Sequence, residues 1–268
     1  MALTYEEFQD CTFRLAEAAG EIAHKYFRQD FDIEMKTDET PVTIADREIE
    51  AKCREILEDL RPNDGIVGEE FPEKPSKNGI EWFLDPIDGT RQFITGKPTF
   101  GTLIGLFVEE TPLAGMIYQP ILNERWTGYK GRKTMFNEKN VQTSRCKTLA
   151  NSRFASTCPS QLMKPFNGML LKGMETSTSV VQWGGDCYFY GLLASGWLEG
   201  VIESGLSTYD FAALIPVVEN AGGVITDWSG HPLTKESEGY VLATANPEIH
   251  AQALDLIAQY CGQDAKRA

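Results

Sequence analysis

The sequence predicts a layered α/β fold. Two observations carry this: amphipathic stretches of helical period near the N-terminus, and, further along, short apolar runs that end in acidic residues and alternate with helical segments. At 268 residues the chain can form one large α/β domain or two intimate subdomains sharing a core.

From Thr4 to Phe27 the apolar positions Phe8, Cys11, Leu15, Ala18, Ala19, Ile22 and Tyr26 fall on one helical face, and Thr4 with Glu7 has the form of a capping box. The polar stretch EMKTDETPV interrupts the helical pattern at Pro41. A second amphipathic helix is expected from about Ile44 to Leu60, ending at the turn RPNDG. Strands are expected at Ile66–Gly68, Trp82–Leu84, Thr99–Val108, Leu113–Tyr118 and Glu124–Tyr129. The chain turns polar around Val141–Leu149, which sets an expected boundary between an N-terminal α+β subdomain (1–145) and a C-terminal α/β subdomain (146–268). In the second part, strands are expected near Arg153–Thr157, Leu198–Glu203, Gly223–Thr226 and Tyr240–Thr244. Helices are expected near Tyr188–Ala194, Tyr209–Asn220 and Pro247–Tyr260.

Composition narrows the classes. With 25 basic and 39 acidic residues the formal charge is −14, which repels nucleic acid. The same charge repels a phosphorylated metabolite unless cations stand between carboxylates and phosphate. No apolar stretch approaches a membrane span, and the acidic opening MALTYEEFQD is unlike a signal or transit peptide, so a cytoplasmic location is expected. The six cysteines lack C-x-x-C pairing and read as reduced thiols.

The segment WFLDPIDGT (82–90) carries the chemistry. An apolar strand ends in Asp85, Pro86 breaks the ladder, and Asp88 follows three residues on. Gly89 permits a tight turn, and Thr90 offers a hydroxyl where a helix could start and its free N–H groups favour phosphate. Two carboxylates around a turn suit a hard cation, although a solvated Asp-Pro/Asp-Gly turn has the same wording. Glu69 and Glu70 end another apolar run. Asp46 lies in the first turn of a helix, where the helix dipole would also explain it, and Asp210 opens a helix as a cap would. Four such segments together favour a shared site.

Taken with its order along the chain, VTIADREIE around Asp46, GEE at Glu69, DPIDGT at 85–90 and YDFAALIPVVENAGG from Tyr209 resemble the inositol monophosphatase family. The wording WFLDPIDGTRQFITGKPTFGTLIGL and GGDCYFYGLLASG is most similar to its histidinol-phosphate phosphatase branch; Tyr209 stands where many relatives carry Trp. The resemblance implies an αβαβα sandwich and a homodimer. It also implies two or three Mg²⁺ ions held by Glu69, Asp85, the Ile87 carbonyl, Asp88 and Asp210, with lithium sensitivity. Glu69, Thr90 and Asp46 would then serve catalysis by a metal-activated water, and Gly89 and Thr90 would cradle the phosphate of a small metabolite. Asp88, Gly185, Asp186, Glu203 and Asp210 would contact the substrate. Acidic partners suit the ammonium and imidazole of histidinol phosphate better than a neutral polyol. Inositol-1-phosphate, phosphoadenosine or fructose bisphosphate are the alternative substrates, and a non-catalytic binding protein of the same fold is the alternative class.

Other chemistries lack their residues. The acids at 85–88 are D-x-x-D rather than D-x-D, and His24, His231 and His250 form neither a zinc motif nor a triad. Lys36 could approach the site or remain a solvated loop charge, and Arg91, after the DGT turn, could contact substrate or a partner subunit.

Overall fold

The computed structural model describes residues 3–30, 33–35, 41–163 and 168–264, so Lys36 lies outside the described residues. Helix α1 (Tyr5–Tyr26) starts at the expected capping box: Thr4 Oγ1 accepts from the Glu7 N–H at 3.2 Å, and the Glu7 carboxylate accepts from the Thr4 N–H at 2.8 Å. A short antiparallel pair, β1 (Ile33–Met35) and β2 (Pro41–Thr43), leads into α2 (Ile44–Leu60). Next come β3 (Gly65–Gly68), β4 (Ile80–Asp88), the single-turn α3 (Thr90–Ile94), β5 (Gly101–Val108) and β6 (Thr111–Gln119). After β7 (Glu124–Tyr129), β8 (Met135–Phe136) and β9 (Lys139–Asn140), a seven-stranded sheet is complete, its strands lying in chain order from β3 to β9.

The chain then builds β10 (Arg153–Ser156), α4 (Pro159–Met163), α5 (Met169–Ser177), β11 (Val180–Trp183) and α6 (Asp186–Ala194). It continues through β12 (Gly200–Glu203), α7 (Thr208–Phe211), α8 (Leu214–Asn220), β13 (Val224–Thr226), β14 (Val241–Thr244) and α9 (Pro247–Asp264). The second sheet has five strands in the order β11-β10-β12-β14-β13.

Strand alternation sorts the side chains into three cores. Trp82 and Leu84 of β4 face α1 and α2, whereas Phe83 faces a central core shared with α6 and α8. That central core also takes Ala155, Val201 and Ala243 from the second sheet, whose other face packs Phe154, Ile202 and Leu242 against α5 and α9. The result is five layers, helix–sheet–helix–sheet–helix, the sandwich expected from the resemblance. Among the described residues no helix is long and apolar enough to cross a membrane, and Cys11, Cys53, Cys146, Cys158 and Cys187 are free.

Two details of packing place the functional groups. Gly105, Gly115 and Gly128 are register partners across β5, β6 and β7. A Cβ on Gly115 would sit 2.1 Å from the Ala213 carbonyl oxygen, and one on Gly128 2.2 Å from that of Pro216. The glycine row therefore lets the α7–α8 backbone lie directly on the sheet. The single helix expected over Tyr209–Asn220 is in fact two, α7 and α8. Pro216 has no N–H for the Ala212 carbonyl and its ring crowds that carbonyl, so the helix breaks one turn earlier.

Candidate active site

A cavity of about 420 Å³ opens where the ends of β3, β4 and α7 meet the loop after β10. Glu69, Asp85, Ile87, Asp88, Gly89, Thr90 and Asp210 line it, as do Arg91 and Tyr209; Thr157, Cys158, Ser160, Gln161 and Asp186 complete the lining.

Each acid is delivered by a distinct local device. The β4–β5 register shifts between Asp85 and Asp88, as the ladder-breaking Pro86 requires, and Thr102 Oγ1 ties the Pro86 carbonyl at 2.8 Å. Asp88 accepts the Cys187 N–H in the first turn of α6, a carboxylate at a helix N-terminus. Asp210 closes a capping box by accepting the Ser207 N–H at 2.7 Å, so the capping role and the cavity position coexist. Oxygens of Asp85, Asp88 and Asp210 lie within 4.8 Å of one another, and those of Asp46, Glu69 and Glu70 form a second such group. The Glu69 N–H donates to the Leu84 carbonyl at 3.3 Å, which sets the two groups side by side.

This arrangement is electrostatically costly. Burial, then the charges of Glu69, Asp88 and Asp210, push the Asp85 carboxyl well above its ordinary range. Burial followed by the Asp210 charge raises Asp88 to about 8, and burial raises Asp210 to about 7. Asp85 Oδ1 is buried without a hydrogen-bond partner. An all-oxygen donor set with an orphaned buried oxygen and mutually repelling carboxylates fits a hard divalent cation such as Mg²⁺.

Behind this group, Asp46 Oδ2 accepts the Thr43 N–H at 2.8 Å and the Thr43 hydroxyl at 2.6 Å, the N-terminal cap of α2. Its Oδ1 lies 3.4 Å from Thr90 Oγ1, which is also 3.2 Å from the Ile87 carbonyl. Burial raises Asp46 to about 6 despite its bonds to Thr43. Gly89 adopts φ +92°, and a Cβ there would press on Phe100 and Asp186.

Beside Gly89, Asp186 is buried, adopts φ +41° and leaves Oδ2 without a partner. Burial, then the Asp88 and Glu203 charges, drive its carboxyl well upward. Gly185 lies outside the cavity lining, at the N-terminal end of α6, where a Cβ would collide with Phe189. Glu203 also stays behind the wall: one oxygen accepts the N–H and hydroxyl of Thr157, the other the Tyr190 hydroxyl at 2.9 Å. Thr157 and Gln161 belong to no motif in the sequence, and the strand expected at Arg153–Thr157 is the one signal near them.

A cleft of crowded, mutually repelling acids at strand ends, within five α/β layers, defines a phosphatase of the metal-dependent type. The chain belongs to the inositol monophosphatase family, whose model matches residues 4–261. It is 44% identical over 250 residues to the bifunctional phosphatase IMPL2, chloroplastic, of Arabidopsis thaliana, covering 90% of this chain and 72% of that protein. It is 39% identical to a histidinol-phosphatase of Chlorobaculum parvum, over 85% of this chain and 89% of that one. An inositol monophosphatase from Zymomonas mobilis superposes with a TM-score of 0.85 at 42% identity, over 96% of this chain and 99% of that one. The protein is thus a phosphoric monoester hydrolase that acts on small phosphorylated substrates.

Proposed function

We propose that the enzyme hydrolyses histidinol phosphate to histidinol and phosphate, with Mg²⁺ as its cofactor. The carrying observation is Asp186: a buried carboxylate with one unpartnered oxygen in the cavity lining, next to acids that a cation would satisfy. Histidinol phosphate brings an ammonium and an imidazole, and a charge-assisted hydrogen bond to Asp186 would relieve its isolation. Similarity to the histidinol-phosphatase of Chlorobaculum parvum supports the same reading.

Glu69, Asp85, the Ile87 carbonyl, Asp88 and Asp210 would hold the metal. When bound, Mg²⁺ supplies charge neutralisation for the phosphoryl group, the acidic site and the leaving oxygen. Gly89 and Thr90, at the start of α3, offer N–H groups to the phosphate. Thr90 Oγ1 orients the attacking water, and Asp46 Oδ1 behind it takes up the proton that the water loses. The ester P–O bond breaks as the new one forms, the leaving oxygen takes a proton from solvent water, and Asp46 returns its own to solvent. Glu203 acts on the substrate through Thr157, whose hydroxyl it holds.

Phosphate release from histidinol phosphate and from inositol-1-phosphate, each with Mg²⁺ and with EDTA, tests this reading. Histidinol phosphate should be strongly preferred and EDTA should stop both reactions. Asp186→Asn, which keeps a residue tolerant of positive φ, should raise KM for histidinol phosphate about tenfold, or 1.4 kcal/mol, and spare inositol-1-phosphate. The similarity to the Zymomonas mobilis inositol monophosphatase favours the other ester. A preference for inositol-1-phosphate with no selective effect of Asp186→Asn would sink the histidinol phosphate assignment.

A further inference from the structure

Glu50 lies in the middle of α2, fully buried, and no step of the proposed mechanism uses it. One of its oxygens accepts the Glu70 N–H at 2.7 Å. The other accepts the Arg54 Nε–H at 2.8 Å and the Phe71 N–H at 3.3 Å. Arg54 completes the grip by donating from Nη2 to the Phe71 carbonyl at 3.1 Å. The helix thus holds the backbone immediately after Glu69 through both its N–H and its C=O groups. On the other side, the Glu69 N–H is fixed to Leu84, the residue before Asp85.

The fit leaves no slack. A Cβ on Gly68 would stand 2.0 Å from a Glu50 oxygen, so the strand reaches Glu69 by passing directly over this carboxylate. A buried carboxylate with an arginine partner and two backbone N–H groups is well satisfied and has one stable arrangement. Through α2 the same helix also presents Asp46, four residues earlier, to Thr90.

We propose that Glu50 is a positioning residue that sets metal affinity by fixing the loop bearing Glu69. The inference rests on Glu69 being a metal ligand, as proposed above. Partners that orient ligands without touching the metal typically change its affinity about 10–100-fold when removed.

The test is a calorimetric Mg²⁺ titration of the full chain, with melting temperature measured in EDTA, on four proteins: the wild type, Glu50→Gln, Glu69→Gln and Glu199→Gln. Glu199 is a buried, arginine-paired acid far from this loop in sequence, and its variant reports stability loss alone. Glu50→Gln and Glu199→Gln should both lower the melting temperature in EDTA. Only Glu50→Gln should also weaken Mg²⁺ binding, by about tenfold or more. Wild-type Mg²⁺ affinity in Glu50→Gln, with weakened binding in Glu69→Gln, would overturn the inference and leave the metal site standing. Unchanged affinity in Glu69→Gln would instead remove the metal-site reading, and this inference with it. Should Glu50→Gln fail to fold, Arg54→Gln reads the same grip: a severalfold weaker Mg²⁺ affinity supports it, an unchanged one rejects it.

Discussion

Buried carboxylates inside and outside the cleft are treated in opposite ways. Outside it, Asp64 accepts from Trp82 Nε1 at 2.9 Å, Arg61 Nε at 2.9 Å and Asn78 Nδ2 at 2.7 Å. Glu199 accepts from the Arg153 backbone N–H and from its guanidinium; burial alone would raise its carboxyl, yet the Arg153 bonds hold it below its usual range. Inside the cleft, Asp85 and Asp186 each leave a buried oxygen unpaired, and burial followed by neighbouring acids pushes both carboxyls upward. The fold can satisfy a buried acid with local donors and does so at these two positions. Where it leaves acids unsatisfied, the missing partner is a ligand.

Paired substitutions break or sharpen this contrast. Asp85→Asn should lower kcat/KM at least about 10³-fold, roughly 4 kcal/mol of transition-state stabilisation, while leaving the melting temperature in EDTA unchanged or higher, because it removes repulsion. Asp64→Ala should do the reverse: about 3 kcal/mol of stability lost to urea, with kcat/KM within about twofold of wild type. Comparable stability losses in the two variants would erase the distinction between the two kinds of buried acid.

Asp210 belongs to the cleft, and besides its capping bond to Ser207 it depends on how α7 and α8 pack on the sheet. Gly115→Ala should therefore cost on the order of 2–3 kcal/mol, since its Cβ meets helix backbone at Ala213 and neither element can yield cheaply. Because α7 carries Asp210, kcat/KM should fall as well. Stability loss with full activity at low temperature would show that Asp210 is placed independently of the glycine row.

What the sequence disclosed followed the same division. The strand at Trp82 was legible because an apolar run ended in Asp85, and the D-x-x-D spacing did bring Asp85 and Asp88 together. The Thr4/Glu7 capping box was legible because its partners are three residues apart. The Pro216 break was equally local, but the strong apolar periodicity of YDFAALIPVV masked it. Thr157 lies in a generic turn, Ser-Thr-Cys-Pro-Ser, and Gln161 just after it; they line the cavity with Asp186 only because β10 lies between β11 and β12. Glu50 had the form of an exposed i,i+4 ion pair with Arg54; that it is buried depends on a loop twenty residues away. The strands β8 and β9, two residues each, are too short to show any period.

The smallest effect concerns a buried base rather than an acid. His250 is 6% exposed, with its ring nitrogens 2.9 Å from the hydroxyls of Thr226 and Thr244. Burial lowers its pKa from 6.5 to about 4, so the folded protein keeps it neutral where the unfolded chain takes up a proton. Its contribution to stability is therefore complete above pH 6.5 and is lost as the pH falls towards 4. Over that window the wild type should lose on the order of 2 kcal/mol more than His250→Asn, measured as urea midpoints at several pH values. The cleft acids titrate in both proteins, so the difference between the two profiles isolates the imidazole. Parallel profiles would mean that the two threonines accommodate the charged ring, and that satisfied burial outside the cleft extends to cations as well as carboxylates.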